Sequence, residues 1–317
     1  MSAKKRSPRN KTLELSSKDK SELAKNLIKL DSPKEIAELK NKVINQDFFS
    51  AIEYIPSSTV DLLVMDPPYN LTKTYNRKKF KKKPIEEYQK WFSDVIQSVA
   101  RTLKQNASVY ICSDWQTSII IAPILDEFFT IRNRITWERE KGRGAKANWK
   151  NSTEDIWFCT KGNDYTFNIE SVKLKKKVIA PYRDPDGNAK DWEDTPDGRF
   201  RLTYPSNIWT DITIPYWSMP ENTDHPTQKP EKLIAKLVLA SSNPGDLVFD
   251  PFLGSGTTAV VCKKLDRNFL GIEMDQEYSL WSEKRLKLAS TNLEIQGYHN
   301  DTFWERNSLS LQKKSQK

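Results

Sequence analysis

Apolar and polar positions alternate along most of the chain in the manner of an α/β protein. Short apolar runs such as Val60 to Met65 are followed by an aspartate and predict buried strands. Between such runs, apolar residues recur every three or four positions, most clearly from Tyr88 to Leu103, and predict amphipathic helices. Strands that alternate with helices indicate a sheet covered by helices.

This pattern is lost in three places. Residues 1–41 are polar and lysine-rich, and we expect a loosely held basic arm there. Residues 162–224 are rich in proline, aspartate, lysine and aromatic side chains and indicate an inserted module. The α/β core is therefore split into halves at 42–161 and 225–291, and we expect the polar tail at 292–317 to be disordered.

Composition narrows the classes of function. Lysine and arginine total 51 against 42 acidic residues, a formal charge of +9 that favours a polyanionic partner without proving one. Two histidines are too few for a zinc centre or a Ser-His-Asp hydrolase, so we expect no metal. The cysteines are far apart and indicate buried thiols. No apolar run would span a membrane, and we expect a soluble, cytoplasmic protein.

The sequence Asp66-Pro67-Pro68-Tyr69 directly follows a predicted strand and is the strongest chemical signal. The amine of a nucleobase is a poor nucleophile because its lone pair is delocalised into the ring. A carboxylate and a backbone carbonyl fixed by proline can accept its two hydrogens and turn the lone pair towards a methyl donor. A tyrosine ring can stack on a base that has left the duplex. The alternative interpretation is a structural turn stiffened by proline.

A second turn, Asp250 to Thr258, contains Gly254 and Gly256 and joins a predicted strand to a helix. By itself it would suit any nucleotide site or a tight turn, but it is not followed by the lysine of a triphosphate-binding loop. Glu273 ends the next predicted strand, where a carboxylate can accept from both hydroxyls of a ribose. If the strands before Asp66 and Asp250 are neighbours where strand order reverses, the two motifs meet at one site.

With these motifs, the chain resembles the amino-group DNA methyltransferases of the β class, whose motif order is permuted. The Asp-Pro-Pro-Tyr motif comes first, the recognition region lies mid-chain and the glycine turn comes late; His225 to Pro230 resembles the cofactor motif that precedes that turn. The resemblance covers residues 43–290. It implies a Rossmann-like, doubly wound, seven-stranded α/β methyltransferase sheet with an inserted target-recognition region, and S-adenosylmethionine as cofactor.

Residue roles follow from the resemblance. Asp66 and the Pro67 carbonyl, with Pro68 in the same motif, would hold the target amine, and Tyr69 would stack on the base. Asn70 would support the loop. Thr227 and Lys229 would reach the methionine carboxylate, and Asp47 the adenine amine of the cofactor. The remaining cofactor-binding residues would be Asp66, Asp250, Phe252, Gly254, Ser255, Gly256, Thr257 and Glu273.

A basic segment at 71–84 follows the first motif and contains no acidic residue. Such loops can clamp the phosphates beside a flipped base, although a solvated loop is the alternative. We expect double-stranded DNA as partner, with a homodimer also compatible with the resemblance. The predicted DNA-contacting residues are Lys78, Lys79, Lys81, Lys82, Lys83, Arg143 and Lys146.

These features predict a site-specific methyltransferase of a restriction–modification type that acts on adenine N6 in flipped-out DNA. Cytosine N4 is the alternative because both amines need the same hydrogen bonds, and aspartate rather than serine at position 66 favours adenine. RNA or protein amide methylation is less favoured by the permuted order. From another class, a catalytically silent DNA-binding module remains, against which Asp66, Tyr69 and Gly254 argue.

Overall fold

The structure is a computed structural model that describes residues 7–76, 78–139, 146–178, 182–195 and 198–306. Within these ranges, none of the helices is both long and apolar enough to cross a bilayer. The α-helices are α1 (Ser17–Leu23), α2 (Ile36–Leu39), α3 (Phe48–Ile52), α4 (Ile85–Thr102), α5 (Trp115–Phe128), α6 (Glu231–Ser241), α7 (Thr257–Lys264) and α8 (Gln276–Ala289).

Fifteen strands are formed by the described residues, numbered in chain order. They are β1 (Lys42–Ile44), β2 (Val60–Met65), β3 (Lys73–Tyr75), β4 (Lys78–Phe80), β5 (Leu103–Ser113), β6 (Thr130–Glu138), β7 (Thr153–Thr160), β8 (Leu174–Lys177), β9 (Glu193–Thr195), β10 (Gly198–Thr203), β11 (Ile208–Trp209), β12 (Leu247–Asp250), β13 (Asn268–Ile272), β14 (Tyr298–His299) and β15 (Thr302–Trp304).

The central sheet has the order β1-β13-β12-β2-β5-β7-β6-β11. It is parallel except that β7 runs antiparallel to both β5 and β6. The expected α/β fold is confirmed, with one difference in strand number: the two-residue strand β11 adds an eighth strand beside β6. A pair of residues from the insertion is too short to show strand periodicity in the sequence.

Strands β2 and β12 are neighbours at the centre of this sheet, with Val248 opposite Leu62 and Phe249 opposite Leu63. The chain proceeds from β2 towards β5 on one side, whereas β12 is flanked by β13 on the other. Strand order therefore reverses between β2 and β12, and the loops that follow Met65 and Asp250 lie at the point where open α/β sheets bind ligands.

Side chains of the central strands alternate between two apolar layers. Leu62 and Val64 pack in one buried cluster with helices α6 and α7, and Leu63 and Met65 pack in the other with α4. This is the period of two that a strand imposes. Because both faces are covered, the strands read as continuous apolar runs, and polar residues appear where the strands end.

The insertion contributes β8, β9 and β10 to a second sheet, whose order is β14-β15-β8-β10-β9. The expectation of a disordered tail is therefore wrong for residues 298–304, because β15 pairs in parallel with β8 and Phe303 is fully buried. Residues 307–317 lie outside the described part of the chain. Strands of two or three residues carry no recognisable periodicity, which is why the tail was not identified.

The N-terminal arm is held more firmly than expected. The amides of Lys11 and Leu13 donate to the carbonyls of Trp217 and Asn222 at 2.6 and 2.9 Å. Asp19 in α1 pairs with Lys284 of α8 at 2.9 Å. The arm thus packs beside the segment that leads into His225–Pro230. The three cysteines are free and buried, as expected.

Candidate active site

The Asp66–Tyr69 loop leaves the carboxyl end of β2 and is fixed from both sides. The hydroxyl of Tyr69 donates to Asp66 Oδ1 at 2.8 Å, and the hydroxyl of Tyr88 donates to the Pro68 carbonyl at 2.9 Å. Pro67 is buried. The buried Asn70 amide donates to the Lys83 carbonyl and accepts from the Lys83 amide, so it closes the base of the basic segment.

Four side chains form what we call the active-edge cluster: Asp66, Tyr69, Glu154 and Lys229. Lys229 Nζ lies 2.6 Å from Asp66 Oδ2 and 3.2 Å from Glu154 Oε2, and it is 8% exposed. Burial acts to lower the pKa of Lys229, but the charges of Asp66 and Glu154 outweigh it and raise that pKa above its ordinary value. The ammonium expected at the methionine carboxylate is here bound to the carboxylate of the first motif.

The glycine turn between β12 and α7 requires its glycines. Gly254 and Gly256 have φ of +56° and +84°, a region that side chains disfavour. A Cβ on Gly256 would lie 2.2 Å from Ser282 Oγ, and one on Gly254 would lie 3.1 Å from the His225 ring. Beneath the turn, the buried Arg285 donates to the Ser255 carbonyl at 2.9 Å and so holds the backbone in place.

Two carboxylates face this turn, of which Asp250 is buried and Glu273 is half-buried. Glu273 accepts from the amides of Gly254 and Asp275 at 2.9 and 2.7 Å, and Asp250 accepts from the Thr258 hydroxyl at 2.6 Å. Burial raises the pKa of each carboxyl to about 7, against the opposing effect of these hydrogen bonds. Buried acids with raised pKa values lie preferentially where a ligand supplies the missing charge.

A cavity of about 30 Å³ separates the two motif loops. A cavity of this size holds one or two water molecules, and Lys229 is one of the side chains that line it. His225 and the newly recognised Cys112 contribute to its wall. Of the residues predicted from the sequence, those that line it are Asp66, Thr227, Lys229, Asp250, Phe252, Gly254, Ser255 and Thr257.

Asp47 lies on the outer rim of the site. It is exposed and caps α3, where its carboxylate accepts from the amide of Phe49 at 3.0 Å. The next residue, Phe48, stacks on Phe252 of the glycine turn with ring centroids 5.5 Å apart. Asp47 and the glycine turn therefore share one side of the site.

The basic segment forms a short antiparallel hairpin of β3 and β4. Lys81 and Lys82 are exposed, whereas Lys83 pairs with Glu87 at 2.7 Å. Lys78 and Lys79 lie in β4. Lys146 is exposed in the loop before β7, and Arg143 falls outside the described residues.

Sequence reasoning missed Glu154 and Arg139. Glu154 is buried at the beginning of β7 and pairs with Lys229, and the Arg139 guanidinium pairs with its other oxygen. The available signal was an acidic pair, Glu154-Asp155, at the head of an otherwise apolar strand. Within the described residues, no group of His, Cys, Asp and Glu side chains is arranged to hold a metal ion.

Comparisons with known proteins agree with this geometry. The profile of a family described as DNA methylase matches residues 60–284. The chain is 33% identical to the type II methyltransferase M.BglII of Bacillus subtilis over 75% of its own length and 66% of that protein. It is 34% identical to the DNA adenine methyltransferase YhdJ of Escherichia coli K12, over 78% of this chain and 83% of YhdJ. The crystal structure of an M1.HpyAVI–SAM complex is 26% identical, covers 77% of this chain and 98% of its own, and superposes with a TM-score of 0.51.

Proposed function

The chain belongs to the DNA methylase family, and from this premise we propose that it methylates the N6 amine of adenine in flipped-out bases of double-stranded DNA. One observation carries the proposal: the Asp66–Tyr69 loop and the Asp250–Thr258 turn leave neighbouring strands and border one cavity. Adenine is favoured by the likeness to a protein named as an adenine methyltransferase and by the aspartate at position 66.

S-adenosylmethionine is the methyl donor of this family, and it supplies a methyl group on a sulfonium. The residues of this chain fit it. Gly254 and Gly256 keep the turn free of side chains. The carboxylates of Asp250 and Glu273 suit a ligand that offers hydroxyl donors and a positive charge. Each oxygen of Glu273 accepts one backbone amide, from Gly254 or Asp275, and has a further lone pair to which a ribose hydroxyl could donate.

Asp66 and the Pro67 carbonyl are the acceptors for the target amine. With its two hydrogens directed at these oxygens, the nitrogen presents its lone pair towards the glycine turn. The bond that forms between the nitrogen and the methyl group replaces the bond between that group and the sulfur, which leaves as an uncharged thioether. The nitrogen becomes positively charged and regains neutrality when it releases one hydrogen as a proton to solvent. The carboxylate of Asp66 stabilises the developing charge.

The base reaches Asp66 only outside the helical stack, because the loop lies in a cleft at the sheet edge. Unstacking costs a few kcal/mol, which stacking on an aromatic ring and contacts to phosphates offset. We assign the ring contact to Tyr69 and the phosphate contacts to the exposed Lys81 and Lys82. We assign a further phosphate contact to Lys146, which is exposed in the loop that precedes Glu154.

The test is to sequence DNA at single-molecule resolution from a methylation-free host that expresses this chain. N6-methyladenine in one short sequence context is expected, and the Asp66→Ala variant should leave that context unmodified. N4-methylcytosine instead would overturn the base assignment and keep the mechanism. Unmodified DNA, in the presence of folded protein that binds S-adenosylmethionine, would favour a silent DNA-binding module.

A further inference from the structure

Glu154 lies at the edge where catalysis takes place although it begins a strand instead of following one. Because β7 runs antiparallel to β5, its first residues lie beside the last residues of β5, with Asp155 opposite Ser113. The carboxylate of Glu154 is 6% exposed. Its Oε2 is 3.2 Å from Lys229 Nζ and 3.4 Å from the Tyr69 hydroxyl oxygen.

Lys229 is thus shared between two carboxylates. Its ammonium is 2.6 Å from Asp66 Oδ2 and 3.3 Å from the Tyr69 oxygen, in addition to its contact with Glu154. Both oxygens of Asp66 already accept a hydrogen bond, one from Lys229 and one from Tyr69. A target amine therefore competes with the lysine for Asp66.

We propose that Glu154 is a positioning residue that takes over the Lys229 ammonium when the target amine binds to Asp66. An ammonium moved off Asp66 without another acid would be buried and unpaired, which is costly. Glu154 removes this cost because it lies within reach and is itself anchored by Arg139 on its other oxygen. Tyr69 touches both carboxylates, so its movement onto the base frees Asp66 Oδ1 at the same step.

The proposal predicts a defect in methyl transfer rather than in binding. Glu154→Gln keeps the size and hydrogen-bonding capacity of the side chain but removes its charge, so that Lys229 stays on Asp66. We expect the single-turnover rate of methyl transfer to fall about tenfold to hundredfold, the range of one charge-assisted hydrogen bond. Dissociation constants for DNA and for S-adenosylmethionine should change by less than about threefold, measured by calorimetry and by DNA titration.

A double variant separates this role from a structural one. If Glu154 acts through Lys229, then Glu154→Gln should change the rate by less than about twofold when Lys229→Met is already present. A full tenfold loss in that background would overturn the proposal, as would a wild-type rate in the single variant. Glu154→Asp withdraws the carboxylate by about 1.5 Å and should lose part of the rate, so it provides the measurement if Glu154→Gln unfolds.

Asp211→Asn is the matched control, because Asp211 is a buried acid paired with Lys232 and Lys236 away from the cavity. It should lower the melting temperature and leave the rate per folded molecule unchanged. An equal loss of rate in this control would show that Glu154 acts through stability alone and would overturn the proposal. The inference rests on the proposed function: an inactive wild-type protein refutes both, whereas an active wild type matched by Glu154→Gln refutes only the role of Glu154.

Discussion

Two groups of paired lysines and carboxylates, among those in the described part of the chain, differ in their surroundings. The active-edge cluster places one lysine, Lys229, between Asp66 and Glu154 beside the cavity. A second group, here called the joint cluster, consists of Asp211, Lys232 and Lys236, with both ammonium groups within 2.9 Å of the one acid. The lysines of both are buried, whereas the Asp66 side chain is 23% exposed and that of Asp211 is 7% exposed.

The ratio of acid to base distinguishes the clusters. Two acids raise the pKa of Lys229, whereas burial lowers the pKa of Lys232 to about 8 because a single acid serves two lysines. The joint cluster is also closed: Lys236 is 2% exposed and lies 4.9 Å from the centroid of Trp209. It ties α6 to the edge strand β11, so it joins parts of the fold. Buried ion pairs therefore mark an active site only where a cavity reaches them.

The largest difference between the two clusters is expected when the acid of each is substituted and the rate of methyl transfer is measured. Asp66→Asn should lower the rate of methyl transfer about thousandfold, because the amide carries no charge to stabilise the positive charge that develops on the amine, while Asp211→Asn should leave the rate per folded molecule within about twofold. Single-turnover kinetics on a DNA that contains the recognised sequence measure both. Comparable losses in the two variants would show that the clusters are not functionally distinct.

The free energy of unfolding should fall more in Asp211→Asn than in Asp66→Asn, which is the reverse of the order expected for the rate. Asp211→Asn leaves two buried lysines without an acid and should reduce the free energy of unfolding by at least about 3 kcal/mol. Asp66→Asn should cost less, because Glu154 still pairs with Lys229. Urea unfolding at pH 7 compares the two variants, and a smaller loss for Asp211→Asn would contradict the joining role.

These clusters also show what the sequence could and could not reveal. Asp66 and Asp250 were identified because each lies at the carboxyl end of a parallel strand that reads as an apolar run, and the helical pattern from Tyr88 to Leu103 corresponds to α4. The order of the motifs resembled that of a permuted family, which placed the glycine turn next to the first motif. Local pattern was sufficient for these elements because their signals are continuous in the chain.

Glu154 and the joint cluster could not be predicted in this way. Glu154 reaches the site only because β7 is antiparallel, and strand direction is set by pairing between distant segments. Asp211 meets Lys236 across 25 residues. Nor did β15 show a pattern, since its pairing with β8 depends on the burial of Phe303 and not on local sequence.

Stability measured as a function of pH tests whether the pKa of Lys232 is low, as expected for two lysines that share one acid. Lys232 has a folded-state pKa of about 8 against 10.5 for an ordinary lysine. Between these values the unfolded chain binds more protons, so the contribution of Lys232 to stability rises with pH. We expect wild type to gain about 2 kcal/mol over Lys232→Met between pH 8 and 9.5. Parallel unfolding curves of the two proteins across this range would refute the low pKa.

Glu273, whose carboxylate belongs to neither cluster, accepts hydrogen bonds from two backbone amides. Glu273 has a pKa of about 7 when folded, so it is protonated below that pH. If the ionised form binds the ribose, the dissociation constant for S-adenosylmethionine should be about tenfold weaker at pH 6 than at pH 8. Glu273→Gln should bind more weakly and lose this dependence, and it also corrects for titration of the ligand itself. If Glu273→Gln shows the same pH dependence of binding as wild type, then another group and not Glu273 causes it.

The smallest effects are expected from exposed lysines that belong to neither cluster. Lys81→Gln and Lys82→Gln should each lower the slope of log affinity against log salt by about one and weaken DNA binding several-fold. Lys83→Gln should do less, because Lys83 is already paired with Glu87. Titrations of labelled DNA at several salt concentrations measure the slopes, and equal slopes for all three variants would remove the distinction.

Strand β15, the last in the described part of the chain, has a consequence for synthesis of the protein. Because β15 pairs with β8, the edge of the second sheet remains open until residues near Trp304 have been translated. An open strand edge is a template for association with other chains. The nascent protein can thus complete its central sheet, whose last strand ends at Ile272, well before it closes this edge. The burial of Trp304 therefore follows the completion of the central sheet, and a chain cut before Gly297 would carry the exposed edge permanently.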